Sequence, residues 1–128
     1  MRLGLIGLVL GIVCAAAGSA VAHHSMAMFD QQNSIKIEGV VQDFRFVSPH
    51  TFILLEVKGD NDDVSTWSLE GDSPSHLARD GWTSKSLKPG DLLKLTINPL
   101  RSGAPGGFWT SDKTFFQDGK PVVVPQTE

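Results

Sequence analysis

The chain has 128 residues and one cysteine, and its 11 basic and 14 acidic residues give a formal net charge of -3. With no pair of cysteines there is no disulfide framework, so stability has to come from a hydrophobic core that a chain of this length can just supply. The acidic balance offers no electrostatic reason to bind nucleic acid or an anionic membrane.

Met1 to Ala22 reads as a secretory signal. Arg2 supplies the positive start, Leu3 to Val13 the apolar run, and Ala15 to Ala22 the small residues before a peptidase site. The competing reading is a retained anchor, since the whole apolar stretch approaches the ~20 residues that span a bilayer. Gly, Ser and Ala near its end fit cleavage after Ala22 better than a packed helix. Cys14 lies inside this segment and leaves with it. Val13 before it and Gly11 three before do not make a lipidation site. The mature domain is then residues 23–128, with ten basic and fourteen acidic residues, and the simplest destination is the periplasm without stable membrane insertion.

Downstream, the pattern predicts short strands. Ile35, Ile37 and Val41 alternate with Lys36, Glu38 and Gln42, whereas Val40, Phe44 and Phe46 have the opposite parity. A bulge near Gly39 to Val41, or burial of both faces, reconciles the two. Ser48-Pro49-His50 is a turn into a strand over 51–57, and Gly59 to Asp63 turns into another over Val64 to Leu69. Ser73 as cap and Pro74 at the first helical position start a short helix through Arg79, which Gly81 stops. Lys88-Pro89-Gly90-Asp91 fits a type II turn before a strand over Leu92 to Ile97. Arg101 to Gly107 is too rich in breakers for regular structure, and Phe108 to Phe116 with Pro121 to Val124 finish the sheet around Asp118-Gly119. About five strands with one short helix between the third and fourth predict an all-β fold: a small five-stranded barrel of the oligonucleotide-binding type, closed or partly open. A small sandwich or open antiparallel sheet is the alternative.

Several motifs carry a resemblance: Ala22-His23-His24-Ser25, Glu38-Gly39-Val40-Val41, Ser48-Pro49-His50, Trp67 to Gly71, Gly81-Trp82, Leu87 to Asp91, and Asn98 to Gly107. Together they resemble DUF6152, a family of small exported bacterial proteins, over essentially the whole mature chain. That resemblance implies export and a single domain but no enzyme class. Ser48 departs from the Asn-Pro-His usual at this point and leaves His50 in place.

The best chemical constellation is His23, His24 and His50. Cleavage after Ala22 gives His23 a free α-amine beside its ring, and amine and imidazole nitrogens suit copper(II), nickel(II) or zinc(II). Met26 and Met28 add soft sulfur suited to copper(I). Copper is therefore the candidate cofactor. The plainer readings are solvated N-terminal histidines, a His50 that caps a turn or hydrogen-bonds a backbone carbonyl, methionines that pack the arm on the barrel, and a His76 that is a surface or cap residue. Glu70 and Asp72 frame Gly71, but carboxylates are common beside turns, and no nucleophile or three-ligand zinc motif accompanies them. Trp67 and Trp82 read as core. Trp109, beside Gly106-Gly107, reads as exposed and, with Arg101, as a contact for a small ligand or a periplasmic protein partner. The function predicted is thus a metal-binding exported accessory, the alternative being a metal-free ligand- or protein-binding one.

Overall fold

A computed structural model describes residues 26–124. The first strand, β1 (Ile35–Arg45), resolves the conflict of parity in its sequence. Ile37 and Val41 face the core, Val41 pairs with Leu55 and Asp43 with Leu54, so Gln42 is the extra residue of a bulge. Beyond it Phe44 and Phe46 pack on the same core as Ile37. The bulge lies one residue past the stretch where the sequence placed it.

The second strand, β2 (Phe52–Lys58), turns back antiparallel to β1 and turns again through Gly59 to Asp63 into β3 (Val64–Glu70). Ile53, Leu55 and Leu69 are fully buried on the inner face. The helix α1 (Pro74–Arg79) starts where expected: the Ser73 hydroxyl accepts from the His76 amide, and Leu77 is its buried residue. Trp82 and Leu87 follow it into the core. Gly90 has φ 93° and the Asp91 amide donates to the Lys88 carbonyl at 3.2 Å, as the predicted turn requires.

β4 (Leu92–Pro99) pairs antiparallel with β1 from Ile35–Ile97 to Val40–Leu92, which closes the sheet on itself. The circuit is β1-β2-β3-β5-β4 and back to β1, with β5 (Gly106–Phe108) parallel to β3. This is a closed five-stranded barrel with one short helix between the third and fourth strands, consistent with the oligonucleotide-binding type. Closure leaves the paired strands without a continuous open edge.

The last strand differs from expectation. Gly106 and Gly107, read as loop, form the β3–β5 ladder, while Trp109 to Lys113 leave the sheet through a short 3-10 turn at Ser111–Lys113. β6 (Thr114–Phe116) then rejoins β4 on the same edge. Phe108 opposes Asn98 and Thr114 opposes Leu95, so the stretch from 108 to 114 covers what β4 spans from 98 to 95. The detour turns Trp109 into the core. Pro121 makes only an isolated bridge with Phe115.

An arm precedes the barrel. Phe29 is buried, bridges to Leu100 and tilts its ring 5.5 Å from that of Phe108. The Asp30 amide donates to the Pro99 carbonyl at 2.8 Å, and Asn98 Nδ2 donates to the carbonyls of Asp30 and Asn33 at 3.0 and 3.1 Å. The Asn98 to Arg101 motif is therefore the anchor of the arm.

Candidate functional site

The hairpin register of β2 and β3 determines what surrounds His50. Phe52 pairs with Glu70, and the pairing continues beyond the strands: the Gly71 amide donates to the Thr51 carbonyl at 2.9 Å, and the Thr51 amide and hydroxyl both donate to the Asp72 carbonyl, at 3.2 and 2.9 Å. Thr51 is fully buried by this interlock. His50 sits at its rim, with Nδ1 3.3 Å from the Gly71 carbonyl and 3.6 Å from Glu70 Oε1. A carbonyl oxygen can only accept, so this contact places a proton on Nδ1. Nε2 makes no hydrogen bond among the described residues, and the imidazole is about a third exposed, 38%.

Gly71 also explains the position of Trp109. The indole lies against the Gly71 backbone, where a Cβ would come within 2.5 Å of the ring. The Trp109 amide donates to the Glu70 carbonyl at 2.9 Å. Trp109 is fully buried, its ring centre 5.0 Å from that of Trp82 and 6.4 Å from that of Phe44. An aromatic cluster thus backs the His50 edge. The sequence expected Trp109 to be exposed beside the glycine pair; it is instead a core residue, because the break in the fifth strand turns it inward.

Arg101 is exposed, and its Nε donates to the Ala27 carbonyl at 3.1 Å while its amide donates to that of Met28 at 2.9 Å. It holds the arm, together with Asn98. Met26 is half-buried and Met28 half-exposed. His76, on α1, is mostly exposed and lies 4.0 Å from Asp72 Oδ2. His23 and His24 lie outside the described residues, as does the signal segment. Among the described residues no three His, Cys, Asp or Glu side chains converge as a metal site. His50 with Glu70 therefore offers two donor groups, and a fuller ligand set needs donors from elsewhere. The backbone-carbonyl contact expected of His50 is found at Gly71, whereas the identity of that carbonyl and the approach of Glu70 were missed by sequence reasoning, although the hairpin turn at Gly59 to Asp63 carried the signal.

In the arm, Asp30 is a small electrostatic anchor. The Asn33 side-chain amide, 3.0 Å away, and then the Gln32 amide hold its carboxyl below its ordinary 3.8.

Among the described residues no helix is long and apolar enough to cross a membrane. No curated protein matches the chain, and no solved structure matches it. A family of unknown function, DUF6152, matches residues 10–110, and the chain belongs to that family.

Proposed function

We propose that this chain is an exported accessory protein that binds a transition metal, copper by preference, through the α-amine and ring of His23, the ring of His24 and Nε2 of His50. The observation that carries the reading is the placement of His50: its Nδ1 lies against the Gly71 carbonyl with Glu70 alongside, and Nε2 has no hydrogen-bond partner among the described residues. Protein ligands to metals usually have this arrangement, in which a carbonyl or carboxylate on one ring nitrogen fixes the tautomer and orients the other for the metal.

The Phe29 ring packs on Phe108, the β5 partner of Glu70, while the arm's main chain pairs with the end of β4 at Leu100. Met26 lies three positions after His23, a separation of at most about 10 Å along any chain. Nitrogen donors of this kind bind copper(II) more tightly than the other divalent first-row metals. The metal-free alternative, a ligand- or partner-binding accessory, needs a surface other than Trp109 and Arg101, since the first is buried and the second is engaged with the arm.

The test begins with protein purified after authentic export, its N-terminus established by intact mass. Titration of the metal-free form with copper(II), followed by paramagnetic resonance, is expected to give one nitrogen-ligated ion starting from His23. His50→Ala is expected to change the spectrum, and Glu70→Gln to weaken binding by about tenfold or more. A mature start elsewhere, or loose binding identical in wild type and His50→Ala, refutes the site.

A further inference from the structure

A second surface combines cations with exposed apolar area. On the outer face of β1, β4 and β6 the registers set Lys36 beside Thr96, Glu38 beside Lys94, and Lys94 beside Phe115. Lys113, in the 3-10 turn leading into β6, completes the rim. These side chains line a groove of about 340 Å³, within the range of small-molecule sites. Phe115 is 37% exposed on its wall. Three of the seven lysines of an acidic chain thus surround one groove. Glu38 offsets part of this charge, with its Oε1 3.6 Å from Lys94 Nζ. Lys36 and Lys113 form no ion pair among the described residues.

We infer that this groove binds a single-chain anionic amphiphile, an alkyl carboxylate, with its chain against Phe115 and the lysine stems and its head group between the Lys36 and Lys113 ammoniums. The charge selects an anion, and the apolar wall selects one with a hydrocarbon portion, because lysine stems cover apolar surface while keeping their heads in water. The backbone beneath selects against a peptide. β4, the strand beneath the groove, is hydrogen-bonded to β1 on one side and to β6 on the other, so its main chain has no free edge to offer there. A peptide strand laid on this face would desolvate its own amides without partners, a cost that an alkyl chain does not carry. This inference is independent of the metal site.

The experiment is a titration of the isotope-labelled mature protein with decanoate below micelle formation, followed by amide chemical shifts. Decanol, acetate and vesicles of anionic phospholipid serve as parallel probes. Saturable shifts are expected at Lys36, Lys94, Thr96, Lys113 and Phe115, with a Kd of about a millimolar or below for a ligand of this size. Lys36→Gln with Lys113→Gln is expected to raise the Kd about fivefold, as the loss of two exposed charge contacts implies. Phe115→Ser is expected to weaken binding similarly, and Lys58→Gln with Lys120→Gln to leave it unchanged. Decanol binding as tightly as decanoate, acetate producing the same shifts, a response to vesicles alone, shifts centred elsewhere, or a Kd indifferent to the Lys36 and Lys113 changes would each overturn the inference.

Discussion

Replacing Gly71 with alanine loads the contact that joins the aromatic core to the His50 rim. The new Cβ would stand 2.4 Å from Trp109 Nε1, 2.5 Å from Trp109 Cε2 and 2.8 Å from Thr51 Oγ1. Gly71 is not among the residues of positive φ, so in open space the same change would stabilise by about 0.4–1 kcal/mol through the unfolded chain. Here both obstacles are fully buried and neither is the far end of a flexible side chain. Overpacking of a core costs roughly 1–3 kcal/mol, and contacts shorter than van der Waals distance by about 1 Å put this case at the upper end, about 3 kcal/mol net. For a domain of this size that corresponds to a fall in Tm of roughly 12–24 °C. Urea unfolding followed by tryptophan fluorescence and calorimetry would measure it, with an unchanged m value required. Gly59→Ala is the control, because its nearest atom is 3.5 Å away and it too lacks a positive φ. It should leave stability unchanged or raise it by up to about 1 kcal/mol. In a double-mutant cycle, Trp109→Leu should remove about 1.5 kcal/mol or more of the Gly71→Ala cost. A Gly71→Ala cost below about 0.5 kcal/mol, or one that Trp109→Leu leaves intact, would refute the packing described.

The arm gives two further expectations. Asn98→Ala, which removes the donor to the Asp30 and Asn33 carbonyls, should cost about 1–2 kcal/mol, and Asn98→Asp should cost more at pH 7 because it sets a carboxylate against two carbonyl oxygens. Denaturant unfolding that finds the two variants equal at neutral pH would count against that role. Asp30 has a folded pKa lowered from 3.8, chiefly by Asn33, so its contribution to stability is complete above the unfolded value and is lost as pH falls through the folded one, below about pH 4. Carboxyl carbon shifts should titrate below 3.8 in the wild type and move back toward it in Asn33→Ala. A midpoint unaffected by Asn33→Ala would rule out the assigned cause.

Legibility in the sequence followed how local each determinant was. The bulge in β1 was visible because an extra residue flips the parity of every apolar position after it, and Ile37 against Phe44 carries that flip within one strand. The Ser73-Pro74 helix start and the Gly90 turn were legible for the same reason. Gly106 and Gly107 were misread because their strand pairing is with β3 and β4, far away in the chain, and nothing in a local window distinguishes a paired glycine from a turn glycine. Trp109 was misread with them, since its burial depends on Gly71 and Trp82.

His50 is an intermediate case and the more instructive one. The Gly59 to Asp63 turn pairs Phe52 with Glu70 and Lys58 with Val64, positions whose numbers sum to 122 throughout the hairpin. Carried two residues past Phe52, the same sum sets His50 opposite Asp72 and beside Gly71, where its Nδ1 is found. A turn that can be read from composition therefore fixes a long-range polar contact, provided the register is followed beyond the last strand residue. The arm has no such rule. Phe29 meets Phe108 and Arg101 meets Ala27 through contacts that span most of the chain. The Asn98 to Arg101 anchor holds the arm that follows His23 and His24, so under the proposed function weakening that anchor should loosen a metal bound between them and His50.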